Sequence, residues 1–171
     1  GFIGTPPMNF IEGTVNEAGV FECGTHKHGV FRIQVPEEKV ELLKQRGYIG
    51  EKVLLGIRPE DCHDEPEFIE ANPGTKVTAK VEVSELLGAE SQITVKFPGS
   101  DVSGQMVIAK VKARVDVYTN DMFEMALDMN KCHFFDLETE LRIKPENKRK
   151  QLQEEVVEEA QEEVVEETQE E

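Results

Sequence analysis

The sequence predicts an all-β protein with one short helix. Seven segments either alternate apolar and polar residues or form brief apolar runs, and Gly, Pro, Asn or Asp residues bound each of them. The predicted strands cover residues 10–15, 30–35, 53–57, 77–83, 93–97, 106–111 and 122–127. Strands of this length and spacing are typical of a sandwich or of small barrels. A chain of 171 residues can form one domain or two small ones and can bury a core.

The one helical pattern covers residues 36–46 and predicts a helix near 37–46. Pro36 and two acidic residues stand at its start, basic residues occupy its last turn, and Gly47 follows it. Val40 and Leu43, together with Leu42, would form the buried stripe of this helix.

Composition shifts along the chain predict four regions. Residues 62–74 are charged and contain two prolines, so they predict a connection between two β subdomains, over residues 1–61 and 75–145. Residues 146–171 form an acidic low-complexity tail in which an eight-residue Glu-Val pattern occurs twice. Like charges four residues apart repel each other and the apolar content is low, so the tail is predicted to be disordered or a fraying helix.

The charge of the chain excludes some classes of partner. The formal net charge is −16, and the tail contributes −8 of it, with eleven Glu against three basic residues. This balance argues against nucleic acid or an anionic membrane surface as the main partner. No stretch approaches the roughly 20 apolar residues that a bilayer span requires.

The cysteine content indicates a reducing compartment such as the cytoplasm. The three cysteines are odd in number and widely spaced, which disfavours a disulfide framework. We therefore interpret them as small buried hydrophobic residues.

Residues with metal-binding or catalytic chemistry are scattered. His26 and His28 would face one side of a strand, but glycines flank them and no third ligand has suitable spacing, so an exposed hairpin is favoured. Residues 62–65 (Cys-His-Asp-Glu) could bind a metal, yet adjacent side chains point in different directions. The sequence thus predicts no catalytic residue, no metal site and no cofactor site.

A phosphate-binding loop is missing from the sequence. Residues 47–52 come closest to the Gly-x-x-x-x-Gly-Lys-Ser/Thr pattern, but their spacer is too short and no hydroxyl residue follows the lysine. Without the loop, the phosphates of ATP lack a nest of backbone N–H groups and Mg²⁺ lacks a hydroxyl ligand. This chain alone is therefore not expected to hydrolyse ATP.

Three motifs, in the same order, resemble a known family. Residues 1–10 read Gly-Phe-Ile-Gly-Thr-Pro-Pro-Met-Asn-Phe, residues 56–61 read Gly-Ile-Arg-Pro-Glu-Asp, and residues 128–136 read Asp-Met-Asn-Lys-Cys-His-Phe-Phe-Asp. From Phe2 to about Ile143 the chain resembles the C-terminal regulatory region of ATP-binding subunits from bacterial sugar importers of the maltose and glycerol-phosphate type. The resemblance implies two small barrels like the oligonucleotide-binding (OB) fold, the second of the TOBE or MOP type.

The resemblance also implies a function. Such a domain would pair with its copy through the β subdomains, tether two ATPase domains and offer a surface to a regulatory protein. Its other partners would be the ATPase domain of the parent chain and the membrane permease subunits, at the cytoplasmic face of the bacterial cell membrane, with no nucleic acid. ATP and Mg²⁺ would bind the ATPase domain, outside this chain. A small-ligand or oxyanion-binding module is the alternative, although the chain is acidic and lacks a Gly/Ser-rich, Lys-containing nest.

Ten motif residues are predicted to have structural or regulatory roles: Arg58, Pro59, Glu60, Asp61, Glu85, Gly88, Glu90, His133, Phe135 and Asp136. In residues 56–61, Arg58 is expected to close a strand and pair with Glu60 or Asp61, while the proline fixes the turn. The resemblance implies that this corner lies at the start of the connection and holds the relative orientation of the subdomains.

Residues 85–90 predict a surface, and residues 133–140 predict a turn. Residues 85–90 match the family element Glu-x-Leu-Gly-x-Glu, so the resemblance implies that they lie on a surface that contacts regulatory partners. A turn is expected at Gly88. His133 is expected to cap a turn and Phe135 to lie in the core. Glu140 stands where the family has glycine, so the turn after Asp136 must either change its geometry or bear strain.

We expect no ATPase activity and no measurable affinity for Mg-ATP, because the chain lacks the loop that would hold the phosphates. Isothermal titration calorimetry checks this, with injection of Mg-ATP into buffer as the control. A saturable, stoichiometric heat of binding would contradict the prediction.

Overall fold

The computed structural model describes residues 7–25, 29–97, 105–145 and 156–164. In these residues, ten strands form two antiparallel sheets of five strands each, which confirms the all-β prediction. All seven predicted strands are present. His26 and His28, and most of the tail, lie outside the described residues.

The first sheet has the strand order β10-β4-β1-β2-β3. Its strands are β1 (Asn9–Val15), β2 (Val20–Thr25), β3 (Gly29–Gln34), β4 (Lys52–Ile57) and β10 (His133–Asp136). Helix α1 (Glu37–Gln45) follows β3 as predicted, with Val40 and Leu43 buried. Strand β2 was not predicted, because Gly24 interrupts a short alternation, yet Phe21 and Cys23 within it are buried.

The second sheet has the strand order β5-β9-β6-β7-β8. Its strands are β5 (Cys62–His63), β6 (Lys76–Leu87), β7 (Glu90–Lys96), β8 (Met106–Lys112) and β9 (Met122–Leu127). The two edge strands, β5 and β8, contact each other, so this sheet nearly closes into a barrel. In the described part of the chain, no helix is long and apolar enough to span a bilayer.

Sheet membership crosses the predicted subdomain boundaries twice. Strand β10 lies in sequence within 75–145, yet it pairs with β4 of the first sheet. Strand β5 falls in the predicted connection, yet it pairs with β9 of the second sheet. The connection also contains a helix beyond the one expected, α2 (Pro66–Ala71), which begins with proline at a position that favours it.

The two sheets share one core. Their buried apolar side chains form a single cluster that runs from Ile11 and Phe21 in the first sheet to Ile93 and Met125 in the second. Across the boundary, the rings of Phe31 and Phe97 lie 4.6 Å apart between centroids. The sheets are therefore packed as one body.

The side chain of Asn9 ties the first sheet to the edge of the second. Its Nδ2 donates to the carbonyl oxygen of Ile108 at 2.9 Å, and its Oδ1 accepts from the Ile108 N–H at 2.9 Å. The side-chain amide of Asn9 thus makes the two hydrogen bonds that the backbone of a neighbouring strand would make with β8. Asn9 itself is buried.

We expect Asn9→Ala to lower the free energy of unfolding by about 2–3 kcal/mol, because two hydrogen bonds disappear and both backbone groups of Ile108 lose their partner. Urea denaturation monitored by circular dichroism measures the change. Asn130→Ala removes an exposed amide and serves as the control. Equal midpoints for the two variants would contradict the prediction.

Candidate functional site

The motifs of residues 56–61 and 128–136 meet where the chain crosses between the sheets. Strand β4 ends at Ile57, a single 3-10 turn (Pro59–Asp61) follows Arg58, and β5 begins at Cys62 in the other sheet. The chain returns through residues 128–132. The Asp128 N–H donates to the carbonyl oxygen of Asp61 at 2.9 Å, which joins the outward and return crossings.

The turn at the outward crossing is fixed by local contacts. Pro59 is buried at the first position of the turn, and the carbonyl oxygen of Arg58 accepts from the Asp61 N–H at 2.9 Å. The Cys62 thiol also faces that carbonyl, with its Sγ 3.8 Å away. Burial raises the pKa of the Cys62 thiol, so it stays protonated at neutral pH.

The predicted ion pair of Arg58 with Glu60 or Asp61 does not form within 4 Å in the part of the chain that the structure describes, although the charge of Arg58 still lowers the pKa of Asp61. The Arg58 side chain is exposed, whereas that of Asp61 turns inward toward the return crossing. Within the described ranges, the ion-pair partner of Asp61 is Lys131, whose Nζ lies 3.8 Å from Oδ1.

Asp61 is a buried carboxylate with incomplete pairing. The residue is only 4% exposed, and its Oδ2 has no hydrogen-bond partner among the described residues. Burial raises the pKa of this carboxyl above its ordinary value, and Lys131 offsets that effect in part. The ionised form is therefore disfavoured at this position.

Asp136 is a buried carboxylate with full pairing. Its Oδ2 accepts from the Tyr48 hydroxyl at 2.8 Å, and its Oδ1 accepts from the N–H groups of Glu138 and Thr139 at 3.0 and 2.9 Å. Burial by itself would raise the pKa of Asp136, but these hydrogen bonds outweigh it and the pKa lies below its ordinary value. The motif residue Asp136 thus has a structural role, joining β10 to the segment after α1.

The expectation that Phe135 lies in the core is wrong. Successive residues of a strand point to opposite faces, and here Phe134 is buried while Phe135 is half-buried on the outer face. His133 lies within β10 opposite Gly56 and does not cap a turn. Burial lowers the pKa of His133, and the charge of Arg142 lowers it further.

The turn after β10 keeps the geometry that suits glycine, and Glu140 bears the resulting backbone strain, which is one of the two alternatives that the sequence predicts. Glu140 has φ 60°, in the left-handed region that favours glycine, so the turn keeps this geometry without a glycine. The Glu140 N–H donates to the carbonyl oxygen of Asp136 at 2.8 Å, which helps to hold that conformation.

An apolar patch covers the outer face of the first sheet. Phe135 contacts Phe10 edge to face, with ring centroids 5.2 Å apart, and Phe10 is 49% exposed. A Cβ added to Gly56 would lie 2.5 Å from Met8 Sδ and 2.6 Å from Phe135 Cε2. Leu54, opposite Phe135 in the register, completes what we call the Phe10 patch: Met8, Phe10, Leu54 and Phe135 around Gly56.

Residues 85–90 form a separate hairpin in the second sheet. Gly88 adopts φ 67° in the predicted turn, and Leu87 lies opposite Glu90. Beyond a bulge near Val83, Leu86 and Leu87 are more than half exposed. Glu85 and Glu90 are also exposed, so the hairpin presents apolar and acidic side chains together.

The clefts of the body are mainly acidic. One cleft of about 600 Å³ includes Glu17, Glu37 and Glu41 with one lysine, Lys44. A second, of about 620 Å³, contains Arg114, but this guanidinium is already hydrogen-bonded to Asp64 and Asp116 at 2.9–3.0 Å. No group of three potential metal ligands occurs in the described ranges. These linings do not favour an oxyanion ligand.

Sequence reasoning missed two residues of this junction. The sequence predicts no role for Asn9 and no ion pair between Lys131 and Asp61. The available signal was weak for both, because a strand residue with a short amide and a loop lysine are common on protein surfaces. Gly56 did carry a signal, since glycine inside a strand often marks a close approach of another group.

We expect Asp61→Asn to raise the melting temperature at pH 7–8. A folded pKa above the unfolded value means that stability is fully present below the unfolded pKa, near 4, and is lost as the pH rises through the folded pKa. The neutral amide avoids that loss, so the advantage should shrink as the pH falls toward 4. Calorimetric scans across this range test it, with the exposed Glu60→Gln as control, and a lower melting temperature for Asp61→Asn at pH 8 would disprove it.

Comparisons with known proteins agree with these motifs. The family model of the MalK OB fold domain matches residues 4–62, and that of the TOBE domain matches residues 55–135. The oligosaccharides import ATP-binding protein MsmX of Bacillus subtilis (strain 168) is 44% identical over 144 residues, which cover 84% of this chain and 36% of that protein. The ABC transporter ATP-binding protein YcjV of Escherichia coli (strain K12), itself described as putative and uncharacterized, is 38% identical with the same coverage.

A more distant relative extends the comparison. The trehalose/maltose import ATP-binding protein MalK of Thermococcus litoralis is 36% identical over 141 residues, which cover 81% of this chain and 35% of that protein. The chain thus spans roughly a third of the length of these relatives. Both family models include residues 55–62, the outward crossing between the sheets. The chain belongs to the family of C-terminal OB fold and TOBE regions in MalK-type ATP-binding subunits of sugar ABC importers.

Proposed function

We propose that this chain is the regulatory and dimerisation part of the ATP-binding subunit of a carbohydrate importer. One observation carries the proposal: the chain matches roughly a third of proteins that are named as import ATP-binding proteins, while its own sequence lacks the phosphate loop. In this proposal ATP and Mg²⁺ bind the ATPase domain of the same parent chain. The membrane permease subunits are the further partners, at the cytoplasmic face of the cell membrane.

The proposed action is mechanical. If two copies pair, their ATPase domains stay close together during opening and closing, which raises their effective concentration. Transmission of force through the region requires that the two sheets move together. The shared core, the Asn9 tie and the contact between Asp61 and Asp128 support such rigidity.

The Phe10 patch is the surface that best suits pairing of two copies. It is apolar and partly exposed. Its central residue, Gly56, is buried beneath Met8 and Phe135, which can close over it because it has no side chain. Two chains of net charge −16 repel each other, so association depends on buried apolar area. A two-fold arrangement would bring the two patches together.

The hairpin of residues 85–90 is the surface that we assign to a regulatory protein. Leu86 and Leu87 offer exposed apolar area, and Glu85 and Glu90 flank them with negative charge. A partner with apolar side chains framed by basic ones would complement this surface. The hairpin and the Phe10 patch belong to different sheets, which allows a regulator and a second copy to bind together.

We expect the chain to form a dimer, and Phe10→Ser to weaken dimerisation at least tenfold, which corresponds to about 1.4 kcal/mol. Added salt should leave the dimer unchanged or strengthen it, because it screens the repulsion between two acidic chains. Sedimentation velocity over a range of protein and salt concentrations measures both effects.

Val115→Ser is the matched control for this experiment, since Val115 is 78% exposed in the second sheet's loop region and lies outside the patch. A chain that stays monomeric at high concentration in moderate salt would refute the tethering role. Dissociation of the dimer by salt would show that the contact is ionic, which also contradicts the proposal.

A further inference from the structure

We propose that the acidic helix of the tail, residues 156–164, docks on the outer face of the second sheet of the same chain. The inference goes beyond the proposed function, because the family models end at residue 135 and the tail lies outside them. It rests on the chemistry of the sheet face, on that of the helix and on the length of chain that joins them.

The outer face of the second sheet combines lysines with exposed apolar side chains. In the strand register, Met122 lies opposite Lys80, Lys80 opposite Lys96, and Lys96 opposite Met106. Met122 and Met106 are 63% and 49% exposed at the two ends of this row. Val83 follows Lys80 along β6 and adds apolar area that is also exposed. Methionine side chains adapt to irregular partners, so this row, which we call the Lys-Met face, suits an amphipathic segment.

The Lys-Met face is basic in a chain with a net charge of −16. It also includes Lys110 and Lys112, which share the outer side of β8 with Met106, so each of the strands β6, β7 and β8 contributes at least one lysine. Lys110 is paired with Glu90 at 3.5 Å, but Lys80 and Lys112 have no ion pair within 4 Å among the residues that the structure describes. Two lysines on this face are therefore available to carboxylates.

The tail helix carries the complementary chemistry. Val156 and Ala160, four residues apart, lie on one side of the helix, and Val157 beside them is 55% exposed. Glutamates 158, 159, 162 and 163 occupy four of the other six positions of the helix and include like-charge pairs four residues apart. A nine-residue helix with such repulsion is marginal in water. Lysines placed beside the glutamates would remove the repulsion and stabilise the helix.

The connection is long enough for contact within one chain. Eleven residue steps separate Pro145 from Val156, and a chain of this length spans at most about 36–40 Å. A compact body of this size has a radius of gyration of about 15 Å. The tether thus exceeds twice that radius.

Docking would cover the Lys-Met face and weaken as salt is added, because its charged contacts lie at the surface. Lys112 lies opposite Glu90, which directly follows the turn of the 85–90 hairpin. A docked helix would therefore lie beside the surface that we assign to a regulator. The tail would therefore compete with any other acidic partner for the Lys-Met face.

Paramagnetic relaxation enhancement in the full chain tests the proposal. A nitroxide is attached to Glu159→Cys, while the native cysteines are buried. At about 20 mM salt, the amide signals around Lys80, Lys96 and Lys112 should lose at least half their intensity, and they should recover at about 0.5 M salt. The same loss of intensity in both sheets, or no loss in either, would overturn the proposal.

Charge reversal supplies the matched comparison. Lys80→Glu combined with Lys112→Glu should abolish the broadening, whereas Arg32→Glu combined with Lys44→Glu, the same charge change on the first sheet and α1, should preserve it. If both double variants lost the broadening equally, the Lys-Met face would not be a specific site for the helix, and the proposal would be overturned. Circular dichroism confirms that each variant is folded, and a variant that is not folded is replaced by the corresponding glutamine pair.

Dilution distinguishes one chain from two. A contact within the chain gives broadening that is independent of protein concentration, which is the expected result. In a mixture, spin-labelled chains are added to isotope-labelled chains that carry no nitroxide. Broadening of the isotope-labelled signals in this mixture would overturn the proposal, because the helix would then bind a second copy.

Discussion

The pairing of β10 with β4 is the constraint on which the rest of the structure depends. Because the last strand returns to the first sheet, the chain must cross between the sheets twice, and both crossings must lie at the same place. The Asp128 N–H donates to the carbonyl oxygen of Asp61 and joins the two crossings. The Lys39 ammonium of α1 donates to the carbonyl oxygen of Cys132 at 2.9 Å. Motifs some seventy residues apart in the sequence are therefore neighbours in the fold.

Two buried aspartates at this junction show how partners decide the behaviour of a carboxylate. Asp136 receives hydrogen bonds from a tyrosine and two backbone N–H groups, and its pKa falls although it is buried. It therefore contributes stability above the unfolded pKa, which is lost as the pH falls through the folded pKa. Asp61 has a lysine at 3.8 Å and one oxygen without a partner, and burial raises its pKa. Two aspartates with similar burial thus contribute to protein stability with opposite dependence on pH.

Local sequence patterns predicted the strands and α1, because alternation and helix-end signals act over a few residues. They could not predict which strands pair across long distances. For that reason β10 was placed with its sequence neighbours, although its partner is β4. The order Phe134-Phe135 shows a second limit, since both residues are equally apolar and only the register decides which one faces the core. The partner of Asp61 was missed for the same reason: Arg58 is near in sequence, whereas Lys131 is near in space.

The double crossing also bears on the order in which the protein folds. Strands β4 and β10 form an antiparallel pair whose connecting loop, residues 58–132, contains the entire second sheet. Closing so long a loop costs about 2–3 kcal/mol more than closing a four-residue turn if the chain between is unfolded. Once the second sheet has formed, its ends are already side by side and most of that entropy has been lost. The first sheet therefore gains its last strand most easily after the second sheet is complete, and a nascent chain would hold the edge of β4 open until then.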